Sequence, residues 1–179
     1  MAKKLEYLQK VLHEKYLLKY QFIIDFPELV ASGTFNCVTG TALYALVLQK
    51  LGIEFQVYER PNHVYLTAGT EATIIESTDP KKGVFMPSDR LQKAIARSLI
   101  ASDLASEQEI AEKSASSLFL NVYLKDEKIT LRQLAGLHYK NDALLALEAA
   151  EWALARQQAL KSLYLYPCKQ IELVVFIAS

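Results

Sequence analysis

The chain has 179 residues, 51% of them hydrophobic and 22% charged, which is the composition of a folded globular protein with a core of ordinary size. Twenty basic residues balance twenty acidic ones, so the electrostatic basis for a nucleic-acid partner or an anionic membrane surface is missing. Two cysteines exclude a disulfide-stapled scaffold and fit free thiols in a reducing compartment, and a cytoplasmic setting is expected.

The first segment places Leu5, Leu8, Val11, Leu12, Tyr16 and Leu17 at three- and four-residue spacing, which predicts an amphipathic helix rather than a secretory signal. No run approaches the roughly 20 apolar residues of a membrane span. His13 falls among the charges of this helix, and its solvent edge is the expected place for it. Apolar Phe22, Ile23 and Ile24, followed by Pro27 and Gly33, predict a buried but irregular approach to the next element. From Asn36 onward, Val38, Ala42, Ala45, Leu46, Leu48 and Leu51 outline a buried helix that Gly52 closes in the left-handed manner.

The period then changes to two. Ile53, Phe55 and Val57 alternate with Glu54 and Gln56 and predict a strand. Two further strands are expected over His63–Ala68 and Ala72–Thr78, joined by Gly69 and Thr70 as a two-residue type II′ turn. A helix capped by Ser88-Asp89 and running through Leu91, Ile95 and Leu99 should follow, then an Ala-, Ser- and Glu-rich connector. From Ile129 to Pro167 the pattern is helical, with a break expected near Lys140 to Asp142. The order of elements predicts an α+β fold with helices packed on a small antiparallel sheet. The expected division is 1–100 for the mixed domain, 101–128 for a connector and 129–179 for a helical segment. The closing run Ile171 to Ile177 is notably apolar.

A thiol becomes a nucleophile when a helix N-terminus or an imidazole favours its anion. In Gly33-Thr34-Phe35-Asn36-Cys37-Val38-Thr39 the cysteine falls in the first turn of a helix, where unpaired amides and the dipole favour negative charge. His63 opens a strand. With Gly69 and Thr70 as the loop, Ala68 pairs with Glu71 and His63 lies directly opposite Glu76, close enough for the carboxylate to accept an imidazole N–H. Asp79 is the rival acid, at an odd offset that points it to the other face. Zinc is a weaker reading of Cys37, His63 and Glu76, since no second cysteine or paired-histidine spacing accompanies them. No metal or cofactor is expected. His138, beside Tyr139 and Asn141, reads as a packed helical residue rather than a ligand.

The string Gly33-x-x-Asn36-Cys37-Val38-Thr39, then Ala42-Leu43-Tyr44, Leu51-Gly52-Ile53, Asn62-His63-Val64-Tyr65 and Ile75-Glu76-Ser77-Thr78 resembles the transglutaminase-like superfamily over roughly residues 16–87. The resemblance implies a papain-like fold and a catalytic set in which Cys37 is the nucleophile, His63 the general base and Glu76 the third member. Glu76 stands where the family carries aspartate, with Thr78 matching the threonine two places later, and Val38 stands where many relatives carry an aromatic residue. The implied activity is that of a cysteine protease, amidase or acyltransferase working through an acyl-enzyme. The Cys37 amide and an upstream donor such as Gln21 would hold the oxyanion.

The run Ala150-Glu151-Trp152-Ala153-Leu154-Ala155, with Ala159, Ser162 and Pro167, resembles one tetratricopeptide unit, whose small residues belong where two helices cross closely. A single repeat cannot bury its own face, so docking on the first domain near Trp152 and Leu163 is expected. The expected partner is a protein or peptide substrate. The competing reading is an inactive scaffold that binds a protein partner through this helical C-terminal segment.

Overall fold

Leu5, Gln9 and Leu12 recur at helical spacing, and helix α1 (Ala2–Lys15) turns that stripe inward. The computed structural model that shows this describes residues 1–22, 24–60, 63–70, 72–81, 83–85 and 127–178. The expected helix through Leu91, Ile95 and Leu99 and the connector over 101–118 lie outside the described residues.

Strand β1 (Lys19–Tyr20) pairs in parallel with β2 (Thr34–Phe35), placing Lys19 beside Thr34 and Tyr20 beside Phe35. Between them the expected irregular stretch is instead a short helix, α2 (Phe26–Ser32). Asp25 caps it by accepting the Glu28 N–H, Pro27 occupies its first turn, and Gly33 ends it at φ 74°. Proline lacks only an N–H that a first turn cannot use, so Pro27 starts this helix rather than breaking it. Phe22, expected inside, is 72% exposed.

Helix α3 (Cys37–Lys50) begins at Cys37, with Asn36 as its cap. It packs on the sheet through Tyr44, Ala45 and Leu48, all fully buried. The sheet has the order β6-β5-β4-β3-β7, formed by β3 (Phe55–Arg60), β4 (His63–Ala68), β5 (Thr73–Ile75), β6 (Val84–Phe85) and β7 (Glu127–Ile129). Strands β3, β4 and β5 are antiparallel, and Val64, Leu66 and Ala68 carry the core-facing side of β4.

The β4–β5 hairpin departs from the expected register. Ala68 pairs with Thr73, Thr67 with Ile74 and Leu66 with Ile75, so the loop spans residues 69–72 rather than two residues. Gly69 at φ 73° and Ala72 at φ 50° close it, with the Ala72 N–H donating to the Gly69 carbonyl at 3.0 Å. The β-branched run Thr73-Ile74-Ile75 takes the pairing positions. Because the shift is two residues, every side chain keeps the face expected for it.

Three helices complete the unit: α4 (Leu131–Glu148), α5 (Trp152–Leu165) and α6 (Lys169–Ile177). The break expected near Lys140 is absent and α4 runs through it. Its polar residues there are engaged sideways, Lys140 with Glu59 at 3.3 Å and His138 with Asp142 at 3.7 Å. The chain reverses later, at Ala149 and Ala150, where Ala150 takes φ 57°. The two helices meet through small residues. The Ser162 hydroxyl donates to the Gly136 carbonyl at 2.7 Å, Ala143 packs with Ala159, and Ala146 with Ala155.

Residues 1–84 and 128–179 form one compact unit. Ile129, Leu134, Leu137, Tyr166 and Ile171 share a single core with Leu48, Val64 and Leu66, and each fully buried Leu or Ile contributes about 1.5–3 kcal/mol. Leu163 packs against this core, whereas Trp152, expected at the docking face, is 53% exposed. The fold is α+β. The apolar C-terminal run is explained by α6, which buries Ile171 in the shared core and Val174 against the α4–α5 crossing. Among the described residues no helix is long and apolar enough to cross a membrane.

Candidate active site

Cys37 sits at the first position of α3, where the helix geometry is fixed by a reciprocal cap. The Asn36 side-chain oxygen accepts the Thr39 N–H at 2.8 Å, and the Thr39 hydroxyl accepts the Asn36 N–H at 2.9 Å. Asn36 is 1% exposed, and its amide also donates to the Phe22 carbonyl at 3.2 Å. The cap therefore anchors both the helix start and the chain that passes over it. A first-turn amide has no intrahelical acceptor, which leaves the Cys37 N–H pointing out of the helix end.

His63 is the first residue of β4, and its Nε2 lies 2.6 Å from the Glu76 Oε2. The other carboxylate oxygen, Oε1, accepts the Thr78 hydroxyl at 2.9 Å and the Thr78 N–H at 3.3 Å. Continuing the observed register sets Glu76 opposite Tyr65, so His63 and Glu76 are diagonal neighbours rather than the direct pair expected. Diagonal positions are separated by roughly 7–8 Å. The glutamate chain closes that gap, which the shorter Asp side chain would leave open.

With Nε2 engaged by Glu76, the remaining face of the ring meets Cys37. The imidazole is pushed up to about 9, first by its hydrogen bond with the Cys37 side chain and then by its bond with Glu76, against an opposing effect of burial. Both side chains of the His63–Glu76 pair are only about a quarter exposed, at 25% and 22%, so solvent screens their interaction incompletely. The structure thus brings Cys37, His63 and Glu76 together.

Asp79 is placed elsewhere: its carboxylate accepts the Lys81 N–H at 2.9 Å within the turn, and its carbonyl accepts the Gln9 amide at 2.7 Å. Gly83 makes that turn possible. A Cβ there would lie 2.3 Å from the Glu76 carbonyl oxygen. Gln21 is brought alongside the site by the β1–β2 pair, its N–H donating to the Phe35 carbonyl at 2.8 Å two residues before Cys37, while its side chain is exposed. Cys37 and Cys168 are both free thiols.

Two other histidines lie apart. His13 is half-buried against Phe35 at 6.0 Å between ring centroids, not at the solvent edge, and burial pushes its pKa down. The helix turns it toward β2, which the spacing of apolar residues alone did not reveal. His138 is a half-buried helical residue facing Asp142.

Tyr20 is a site neighbour that the sequence reading passed over among ten scattered tyrosines. Its ring packs edge-on to Phe35 at 5.7 Å, and burial pushes the phenol up, with the negative charges of Cys37 and Glu76 adding to the shift. No periodicity in the sequence marks the two-residue strand that sets Tyr20 beside Phe35.

A cleft of about 520 Å³ opens beside Cys37 and His63, with Leu137, Leu144 and Leu145 of α4 and Val174 of α6 along its walls. At its polar side, Lys140 pairs with Glu59 at 3.3 Å, and the Tyr166 hydroxyl donates to the other Glu59 oxygen at 2.7 Å. These contacts tie α4 and the end of α5 to β3. Among the described residues no cluster of three side chains is arranged to hold a metal ion.

Comparisons with protein-family models, with curated proteins and with solved structures returned no match.

Proposed function

We propose that this chain is a transglutaminase-like cysteine hydrolase or acyltransferase with a papain-like core, acting on peptide or amide bonds through Cys37. The observation that carries the reading is the order of contacts: thiol at a helix N-terminus, imidazole against it, and Glu76 bonded at 2.6 Å to the far ring nitrogen. A carboxylate behind the imidazole fixes its orientation and stabilises its charged form. A histidine pushed up to about 9 holds its proton at neutral pH, which fits a thiolate–imidazolium pair better than a neutral base waiting for a thiol proton.

The cycle follows from those roles. The Cys37 sulfur adds its electron pair to the amide carbonyl carbon, and the carbonyl oxygen takes the displaced charge. The Cys37 N–H is a donor for that oxyanion, and Gln21 is a second candidate. Collapse breaks the C–N bond as His63 gives its proton to the leaving amine, leaving an S-acyl enzyme. Neutral His63 then takes a proton from water or an incoming amine, which attacks the thioester and regenerates the thiolate.

The test is acylation by p-nitrophenyl acetate. One equivalent of nitrophenolate per chain is expected in a rapid phase, absent in Cys37→Ser and at least about a hundredfold slower in His63→Asn. A phase of equal size and rate in Cys37→Ser would assign the reactivity to another group and end this reading.

A further inference from the structure

We propose that the cleft beside Cys37 is a binding subsite for a neutral peptide carrying a bulky aliphatic side chain, walled by α4 and α6, with the Asn141 carboxamide taking the peptide's backbone amide. The proposal rests on the thiol reading above and names the substrate class that this reading leaves open.

Three observations carry it. The first is apolar area left in water at the cleft: Leu144 is 42% exposed, Leu145 44% and Ile177 51%, all lining a space of about 520 Å³ that also touches Cys37 and His63. A cavity of that size, mostly apolar and adjoining a nucleophile, is the usual form of a small-ligand or side-chain site. The second is Asn141. It lines the cleft, is half-buried, and has no hydrogen-bond partner for its side chain among the described residues. A carboxamide both donates and accepts, which matches a peptide unit and would go unmet by a plain hydrocarbon chain. The third is charge. The two cations at the cleft are already held, Lys140 by Glu59 and the His63 imidazolium by Glu76, and Glu148 adds a further carboxylate to the lining. An acidic side chain or a phosphate therefore finds repulsion there rather than a counter-ion.

The probes are two peptide vinyl sulfones, benzyloxycarbonyl-Leu-Leu and benzyloxycarbonyl-Asp-Asp, read by intact mass and peptide mapping. In this reaction the Cys37 thiolate forms a bond to the β carbon of the vinyl group. The alkene electron pair moves to the α carbon, which takes the His63 proton, and nothing leaves. The expected result is labelling at Cys37 at least about tenfold faster by the Leu probe, the size of effect a filled apolar pocket gives. Leu144→Glu should bring the two rates together, and Asn141→Ala should slow the Leu probe several-fold. Leu154→Glu, on the exposed side of α5, is the control and should leave the ratio unchanged.

Equal rates for the two probes, or a ratio that survives Leu144→Glu, would overturn the subsite while leaving an iodoacetamide-reactive, His63-dependent Cys37 in place. Acylation by S-octanoyl-N-acetylcysteamine with neither peptide probe reacting would overturn the peptide in favour of an acyl chain. Iodoacetamide labelling of Cys37 that is indifferent to His63→Asn would instead remove the thiol reading on which the proposal rests.

Discussion

At the scale of single residues, the account turns on His63. A histidine whose folded pKa is about 9 against roughly 6.5 when unfolded contributes stability that is fully present below pH 6.5. That stability is lost as pH rises through 9. At about 1.4 kcal/mol per pKa unit the whole span bounds the loss at roughly 3.5 kcal/mol, and urea denaturation of the protein against His63→Gln at pH 6 and pH 9.5 measures it. An imidazole titration followed by NMR should place the midpoint near 9, and lower in both Cys37→Ser and Glu76→Gln, because the Cys37 and Glu76 side chains each raise it. A midpoint near 6.5 in all three proteins would contradict the geometry described. Glu76→Asp should behave like Glu76→Gln, since the shorter carboxylate falls short of a diagonal neighbour. Asp79→Asn should disturb only its turn. Cys37, His63 and Glu76 were legible as candidates because each carries chemistry at a structural boundary. The direct pairing inferred for the last two was two residues out, since turn length is decided by backbone conformations at Gly69 and Ala72 that no hydrophobic pattern encodes.

At the scale of elements, the α3 N-terminus is the part that the site depends on most. Asn36→Ala removes a cap whose loss ordinarily costs about 1 kcal/mol, up to about 2, and also releases the Phe22 carbonyl. The expected result is lower stability in denaturant together with slower Cys37 alkylation. Unchanged alkylation would separate the cap from the chemistry. Gly40, one turn on, is a sharper case. Glycine to alanine inside a helix ordinarily gains up to about 1 kcal/mol. Here a Cβ would lie 2.9 Å from the Ser77 hydroxyl and 3.1 Å from Phe35, and such overpacking costs about 1–3 kcal/mol. The second effect is larger, so Gly40→Ala should destabilise and push the segment bearing Glu76 away from the helix. Periodicity was enough to read α1, α3 and β3. It failed for α2, where Pro27 looked like a break, and inside α4, where Lys140 and Asp142 looked like a turn but are held by Glu59 and His138.

At the scale of the whole molecule, the helical segment is part of the same core as the N-terminal residues, through Leu134, Leu137 and Ile171. Proteolytic nicking within 101–118 should therefore leave the two pieces associated and unfolding together, as judged by gel filtration and a single thermal transition. A released and separately stable 1–100 piece would contradict that. Composition and element order were sufficient for the α+β class, whereas the docking of α4 to α6 depends on contacts between residues far apart in sequence, such as Tyr166 with Glu59, that one sequence does not display. Cys168 offers an internal control for the central claim. Like Cys37 it is half-buried at a helix start, as the cap residue of α6, but it lies outside the His63–Glu76 pair. The most direct measurement is the ratio of iodoacetamide alkylation rates at the two cysteines in one sample near pH 6, resolved by peptide mass spectrometry. The account predicts Cys37 faster by at least about tenfold, with the advantage lost in His63→Asn; equal rates at the two cysteines from pH 5 to pH 8 would contradict it.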